Sequence, residues 1–243
     1  MRYQGGKSRI AGQLAAKIRE IHPTATEIWE PFCGGGAMTL ALAKVGFRVH
    51  ALDNHEDLIL MWQALTKGET DPFVDVTETE YQALKTAGPS ARRGFVGFGA
   101  SFGGAWFGGF ARRPYDPSRN ICAETRRNID RLVGLPVTFT LADYISVPDD
   151  VLVYADPPYA GTKPYKGAPA FDHAAFWSWV RNRSGPTFVS ELTCPDPQLD
   201  IVWRKQHKSQ NASNSPTTRA TSKIIEREER LYYKPATIAT ISS

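Results

Sequence analysis

The chain has 243 residues, 42% of them hydrophobic and 22% charged, a composition typical of a soluble globular protein with one substantial core. No apolar run is long enough to span a bilayer and the start does not resemble a secretory signal, so neither a membrane protein nor a secreted protein is expected. The net charge of +4 permits a nucleic-acid partner. Three scattered cysteines, Cys33, Cys122 and Cys194, favour a reducing cytoplasm and predict neither a disulfide framework nor a metal site.

The first quarter of the chain alternates between helical and strand patterns. Such alternation is typical of an α/β protein with a parallel sheet. Hydrophobic periodicity predicts a helix over 7–21, a strand over 27–32, a helix over 37–45 that Gly46 ends, a strand over 47–52 and a helix over 55–65.

A glycine run separates the first predicted strand from the helix that follows it. Gly34 and Gly36 lie in this run, and in such a loop the main chain can approach a nucleotide-like cofactor closely. Thr39 occupies the place of the third glycine of the dinucleotide fingerprint, which weakens a nicotinamide or flavin interpretation. Asp53 ends the second strand, where a carboxylate would hold a ribose diol.

The alternation stops between residues 67 and about 131. Within this region aromatic residues and glycines alternate, and two arginine pairs enclose them: Arg92, Arg93, Arg112 and Arg113. Flexible backbone, planar rings and cations are the materials of a nucleic-acid contact surface, so the four arginines are predicted to contact phosphates. A glycine-rich loop whose aromatics pack under the main core is an equally good interpretation.

The second half returns to the strand and helix alternation. A helix is predicted over 122–132, followed by a strand over 137–141 that leads to Asp143 and Tyr144. A polar loop is predicted over 160–170, then a helix with Asp172 as its N-cap and a strand over 186–192. Two late strands, over 201–208 and 231–234, are predicted to be joined by a mobile loop over 209–223.

A further strand, over residues 151–156, ends in the sequence DPPY at 156–159. The run is nearly all apolar, as in a parallel strand that is covered on both faces, and two prolines cannot continue a ladder. Asp156, Pro157, Pro158 and Tyr159 therefore form a stiff corner at the carboxyl end of the strand, where open α/β sheets place ligands. A carboxylate, free carbonyls and a ring at this corner favour binding of a flat group with an amino substituent, such as a nucleobase.

Taken in order, these motifs resemble those of the Dam-type (D12-class) DNA adenine-N6 methyltransferases, and the phage-encoded members in particular. The resemblance rests on YxGGK at 3–7, EPFCGGG at 30–36, DNH at 53–55 and DPPY at 156–159, with Asp143-Tyr144 as the pair before the catalytic strand. His55 departs from the usual Asp-x-Asn, and the middle segment matches poorly, which leaves the DNA sequence that is read undefined.

The resemblance implies a set of cofactor contacts. S-adenosyl-L-methionine would have Tyr3 and Lys7 at its methionine end, Lys7 near the carboxylate. Phe32, Gly34 and Gly36 would form the loop beneath it. Asp53 would take the ribose hydroxyls, and Asp143, paired with Tyr144, would bond its adenine. No metal is implied, and the product would be S-adenosyl-L-homocysteine.

The resemblance also implies the catalytic roles. The target adenine leaves the duplex to reach the methyl group. Asp156 and the Pro157 carbonyl would accept the two N6 hydrogens, with Pro158 completing the corner, while Tyr159 stacks on the base. Aspartate at position 156 favours adenine over cytosine N4 as the target.

The resulting expectation is an α/β, Rossmann-like S-adenosylmethionine-dependent methyltransferase sheet with helices on both faces. Residues 1–66 and 132–243 would form the catalytic domain and 67–131 an inserted target-recognition region. The expected partner is double-stranded DNA, bound by a monomer or a weak dimer in a bacterial cytoplasm, with no membrane. The alternatives are methylation of RNA adenine or of another amino group, and a catalytically silent DNA-binding module.

Overall fold

The computed structural model describes residues 1, 3–112, 120–159, 171–210 and 224–237. Within these ranges seven strands form one sheet in the order β3-β2-β1-β4-β5-β7-β6. Strands β1 to β5 run parallel, and β7 is antiparallel to both of its neighbours. The predicted Rossmann-like α/β sheet is therefore confirmed. The strands are β1 (Glu27–Glu30), β2 (Arg48–Asp53), β3 (Val137–Leu141), β4 (Val153–Ala155), β5 (Thr187–Glu191), β6 (Asp200–Gln210) and β7 (Ile224–Lys234).

Helices cover both faces of the sheet, as predicted. One apolar core lies under α1, α2 and α3, and a second lies under α7. Strand β4 contributes to both cores because its side chains alternate: Tyr154 joins the first core, while Val153 and Ala155 join the second. The α-helices of the described residues are α1 (Ala11–Ile21), α2 (Ala37–Lys44), α3 (Glu56–Thr66), α4 (Glu78–Leu84), α5 (Ala91–Gly94), α6 (Ile121–Ile129) and α7 (His173–Asn182). None of them has the length and apolar content needed to cross a bilayer.

The ends of three helices follow from local chemistry. The Asp172 side chain accepts a hydrogen bond from the Ala175 N–H at 2.9 Å and caps α7, as predicted. Gly46 follows α2 with a φ of 94°, the left-handed conformation predicted there. Helix α1 begins at Ala11, four residues later than the predicted helix, because residues 7–10 form a turn in which the Ile10 N–H donates to the Lys7 carbonyl at 2.8 Å.

The strand order reverses between β1 and β4. These two strands are neighbours, with Trp29 opposite Val153, while their connections to the next strands leave in opposite directions along the sheet. A crevice at such a reversal, outside the carboxyl ends of the strands, is where open α/β sheets bind ligands. The predicted site residues lie at the carboxyl ends of three strands: the glycine loop follows β1, Asp53 ends β2, and the DPPY corner follows β4.

The region 67–131 packs on the main core rather than apart from it. After α5 the chain forms one π-helical turn, Phe95–Gly99, and Phe95 and Phe98 are buried in the same core as α1 and α3. Phe95 and Phe98 therefore follow the interpretation in which the aromatic residues pack under the main core. Phe102 does not, since it is 73% exposed. The assignment of 67–131 as a separate recognition region stays a prediction.

The carboxyl-terminal strands are longer than predicted. Strand β6 continues to Gln210 and β7 begins at Ile224, so residues 209 and 210 of the predicted mobile loop belong to β6. The rest of that loop, 211–223, lies outside the described residues, as does the predicted polar loop 160–170. Because β7 runs antiparallel, its earlier residues lie at the same edge of the sheet as the carboxyl ends of β4 and β5.

The close contact between α5 and α3 generates a stability prediction. A Cβ atom at Gly94 would lie 2.1 Å from the Asp57 carbonyl oxygen, so Gly94→Ala forces the two helices apart and is expected to destabilise the fold by roughly 3 kcal/mol. The control is Gly12→Ala in α1, where a Cβ would meet nothing within 4 Å and where alanine stabilises a helix by up to about 1 kcal/mol. Urea unfolding measures both; equal stability of Gly94→Ala and the wild type would contradict this packing.

Candidate active site

The loop after β1 brings bare main chain against the ring of Tyr3. Gly34 and Gly36 have positive φ values of 45° and 71°, and a Cβ atom at Gly35 would lie 2.5 Å from the Tyr3 Cβ. Trp62 in α3 anchors the loop by donating from Nε1 to the Gly34 carbonyl at 3.1 Å. The loop therefore needs glycine both for its backbone conformation and for its close approach to Tyr3. Main chain without side chains can also approach the polar groups of a nucleoside ligand closely.

Asp53 at the end of β2 lies against this loop. Its Oδ2 accepts from the Gly34 N–H at 2.9 Å, and its Oδ1 accepts from the His55 N–H at 3.0 Å. Burial raises the pKa of the Asp53 carboxyl to about 6, although the backbone N–H groups oppose the shift. A carboxylate offers about four lone-pair sites, so Asp53 retains acceptor capacity for hydroxyl groups in addition to these two contacts.

The N-terminal turn and the DPPY corner meet at an ion pair. Lys7 Nζ lies 2.8 Å from Asp156 Oδ1, and the two side chains are 7% and 19% exposed. Burial alone would lower the pKa of Lys7, but the charges of Asp156 and Glu229 outweigh it and the pKa is raised. Lys7 is therefore an ammonium at the carboxyl end of β4. Its predicted contact with the carboxylate of the cofactor stays a prediction.

Tyr159 belongs to the same cluster through Glu229. The Lys7 ammonium lies 4.4 Å from the centroid of the Tyr159 ring, the Tyr159 hydroxyl donates to Glu229 Oε1, and Lys7 Nζ lies 3.4 Å from the same oxygen. Burial, together with the charges of Asp156 and Glu229, raises the pKa of Tyr159, which keeps the hydroxyl protonated as a donor. The sequence analysis missed Glu229, which sits in a charge-rich run of β7.

A second group of rings lies beyond the glycine loop. Phe32 stacks with Tyr144, with ring centroids 5.7 Å apart, and Phe176 of α7 meets both rings edge-on. Asp143 starts the turn before Tyr144, and its Oδ1 accepts from the Ile145 N–H at 3.1 Å. The structure thus brings Phe32 and Tyr144 together; their cofactor contacts, and the bond of Asp143 to a cofactor adenine, stay predictions.

Two further buried polar groups, Glu30 and His55, belong to the predicted motifs, but the sequence analysis gave neither of them a role. Glu30 is fully buried and accepts from Thr39 Oγ1 at 2.6 Å, which gives Thr39 a structural role at the place of the third glycine. Burial raises the pKa of Glu30 well above its ordinary range. The ring of His55 lies between Phe98 and Trp106, burial lowers its pKa, and its Nδ1 has no hydrogen-bond partner among the described residues.

The four predicted DNA-contacting arginines have different surroundings. Arg92 binds Glu80 through Nε and Nη2, and Arg93 binds Asp57 and the Leu84 carbonyl. Both guanidinium groups are therefore engaged in intramolecular contacts, which weighs against their predicted contact with DNA phosphates. The Arg112 side chain is 69% exposed and pairs with Glu78. Arg113 lies outside the described residues.

One family model matches the part of the chain that contains the first three motifs. Residues 3–95 match the model of the D12 class N6 adenine-specific DNA methyltransferase family. The resemblance predicted from the motifs is confirmed over these residues. The matched part includes the N-terminal turn with Lys7, the glycine loop and Asp53; the DPPY corner lies beyond it.

The chain also matches solved structures of methyltransferases at low identity and low TM-score. One is a putative methyltransferase, yhhF, from Escherichia coli, 10% identical, with 93% of this chain and 86% of that chain covered and a TM-score of 0.38. Another is a SAM-dependent methyltransferase from Agrobacterium tumefaciens, 9% identical, with coverages of 93% and 61% and a TM-score of 0.39. A comparison with curated proteins gave no match.

The Lys7 ion pairs generate a prediction on stability. Lys7→Met leaves the carboxylates of Asp156 and Glu229 without a counter-charge, so at pH 7 it is expected to cost roughly 3 kcal/mol of unfolding free energy. Because protonation removes the uncompensated charge, the deficit relative to wild type should shrink as the pH falls into the acid range. In the wild type the raised pKa of Lys7 means that its contribution is lost only as the pH rises above about 10.

The matched control is Lys17→Met, which removes an exposed pair with Glu20 and is expected to cost less than about 1 kcal/mol. Denaturant unfolding between pH 4 and pH 9 measures both variants. Equal losses for the two lysines, with no pH dependence, would contradict a buried ion pair at the DPPY corner.

Proposed function

We propose that the chain is an S-adenosyl-L-methionine-dependent DNA methyltransferase that methylates N6 of an adenine extruded from duplex DNA. The observation that carries this proposal is the 2.8 Å contact between Lys7 and Asp156. It joins the N-terminal turn to the DPPY corner at the reversal of the strand order, beside the glycine loop and Asp53. The match of residues 3–95 to the D12 class supports the same reaction.

The residues present fit the cofactor. Main chain at Gly34 and Gly36 is free of side chains and held in the left-handed conformation, Asp53 retains acceptor capacity for ribose hydroxyls, and Tyr3 and Phe32 supply flanking rings. Asp143 and Tyr144 would lie at the adenine end. When bound, S-adenosyl-L-methionine supplies an electrophilic methyl group on a sulfonium.

The DPPY corner orients the nucleophile. Asp156 and the Pro157 carbonyl accept the two N6 hydrogens, which directs the nitrogen lone pair towards the methyl carbon. A bond forms from N6 to that carbon, the carbon–sulfur bond breaks, and one N6 proton is released. Burial raises the pKa of the Asp156 carboxyl, with Lys7 opposing the shift, so this carboxylate is also a suitable acceptor for the proton. The catalysis comes from positioning and electrostatics.

Tyr159 supplies the stacking surface for the extruded base. Its ring is fixed from one side by the Lys7 ammonium and at its hydroxyl by Glu229. A flipped adenine needs a planar partner to replace the stacking that it loses in the duplex, and one such contact contributes about 1–3 kcal/mol.

Two observations support DNA as the partner. Phe102 is 73% exposed and lies on a glycine turn that is joined to the N-terminal turn by the hydrogen bond from the Gln4 N–H to the Gly104 carbonyl, 3.2 Å. An exposed ring beside the site, in a chain of net charge +4, is suited to contact bases next to the target. We therefore propose that 67–131 contacts DNA through Phe102 and Arg112.

Nucleoside mass spectrometry tests the proposed function. DNA and RNA are isolated from a host that lacks its own adenine methylation and expresses the wild type, Asp156→Ala or the control Asp149→Ala, which changes an exposed carboxylate at the opposite end of β4. N6-methyladenine is expected in DNA with the wild type and with Asp149→Ala, and at least about 100-fold less with Asp156→Ala, because the amino group is no longer oriented.

Three results would overturn the proposal. Methylation confined to RNA would favour an RNA methyltransferase. Methylation of cytosine N4 would contradict the assigned base. Tight DNA binding by a wild type that methylates nothing would favour the silent binding module.

Asp53 generates a prediction on pH. Its ionised form accepts hydroxyl hydrogens, and its pKa is about 6, so the affinity for S-adenosyl-L-homocysteine should be constant above pH 7 and fall about tenfold between pH 7 and pH 5 as the carboxyl becomes protonated. Asp53→Asn should bind weakly at every pH in this range. Isothermal titration calorimetry measures both; a wild-type affinity that does not change with pH would contradict the assignment of Asp53 to the ribose.

A further inference from the structure

Glu229 reaches the DPPY corner from the far side of the sheet. It lies on β7, which pairs with β5 and not with β4, and it is 9% exposed. On β7 it has the same parity as Leu231, which belongs to the core beneath α1, whereas Tyr232 belongs to the core beneath α7. Glu229 therefore points to the face of the sheet on which Lys7 precedes α1.

Glu229 closes a cycle of three contacts with Lys7 and Tyr159, and Asp156 is joined to this cycle through Lys7. Asp156 contacts Lys7 at 2.8 Å, Lys7 contacts Glu229 at 3.4 Å, and the Tyr159 hydroxyl donates to the same Glu229 oxygen. The ring of Tyr159 in turn lies 4.4 Å from the Lys7 ammonium. One carboxylate thus fixes both the cation and the aromatic residue of the site.

The charges of this cluster explain what a second carboxylate contributes. If Asp156 were its only partner, Lys7 would neutralise the Asp156 carboxylate and compete with the substrate amino group for its oxygens. With Glu229 present the cluster has a net charge of −1, because two carboxylates share one ammonium. Asp156 can then accept hydrogen bonds from an amino group, and the net negative charge favours a cationic sulfonium nearby.

We propose that Glu229 is a positioning residue, which shares the charge of Lys7 and holds the Tyr159 hydroxyl so that Asp156 and the Tyr159 ring keep the orientation that methyl transfer needs. The proposal rests on the proposed function for its kinetic consequence, but the contact network that it describes can be measured without any substrate.

The test compares Glu229→Gln, Tyr159→Phe and the double variant. Glu229→Gln keeps the size and an acceptor oxygen but removes the charge, and Tyr159→Phe removes the donor while keeping the ring. The matched control is Glu228→Gln, since Glu228 has the opposite parity on β7 and pairs with Arg230 at 2.6 Å.

Rates are measured in single turnover on DNA from an unmethylated host, at saturating S-adenosyl-L-methionine. Glu229→Gln is expected to lower the rate of methylation by roughly 10–100-fold, with the affinity for S-adenosyl-L-homocysteine, from calorimetry, changed by no more than about twofold. The double variant should be slowed by less than the product of the two single effects, because both changes weaken the contact between Glu229 and the Tyr159 hydroxyl. Glu228→Gln should match the wild type.

Two kinetic results would overturn the proposal in favour of a purely structural carboxylate. One is a rate for Glu229→Gln equal to that of the wild type, and the other is a loss in ligand affinity as large as the loss in rate. Melting temperatures give a second, substrate-free readout: the losses caused by Glu229→Gln and Tyr159→Phe should be non-additive, and strict additivity would also overturn it. If the wild type methylates no DNA, the proposed function fails, and the melting cycle alone decides whether Glu229 holds Tyr159.

Discussion

The arrangement of the site depends on one buried cation. Lys7 precedes α1, Asp156 and Tyr159 follow β4, and Glu229 lies on β7. Among the described residues, no main-chain hydrogen bond outside the helices and strands joins these segments at that point. Two carboxylates in a largely buried position repel each other and are costly to desolvate. The ammonium offsets both costs, 2.8 Å from one carboxylate and 3.4 Å from the other. Through Lys7, the N-terminal turn therefore becomes part of the site.

The sheet places the remaining groups around this cation. The reversal of strand order between β1 and β4 opens a crevice, and the glycine loop, Asp53 and the DPPY corner all follow strands that end there. Strand β7 adds a residue because it runs antiparallel and brings an early position, Glu229, to the same edge. The fold thus explains why residues far apart in the chain share one site, and the chemistry is explained by the residues themselves.

Much of this was predictable from local pattern, and the exceptions have physical causes. The strand before DPPY and the glycine loop were predicted because apolar runs, prolines and glycines act locally. The resemblance assigned Lys7 to the cofactor, which stays a prediction; its pairing with Asp156 was not predicted, because a tertiary contact between charges has no local signal. Glu229 was missed because its charged neighbours look like a solvated strand; its alternation with Leu231 is the signal that could have found it. The π-helical turn hid the burial of Phe95 and Phe98, since its period differs from that of an α-helix.

The central claim is that the crevice between β1 and β4 binds the cofactor beside the Lys7–Asp156 pair. A crystal structure of the protein with S-adenosyl-L-homocysteine tests this most directly. The account predicts the ligand over the glycine loop, with its ribose hydroxyls on Asp53 and its sulfur directed towards the DPPY corner, and Lys7 still within hydrogen-bond distance of Asp156. A ligand bound elsewhere on the protein, or one that binds here only after Lys7 and Asp156 separate, would contradict it.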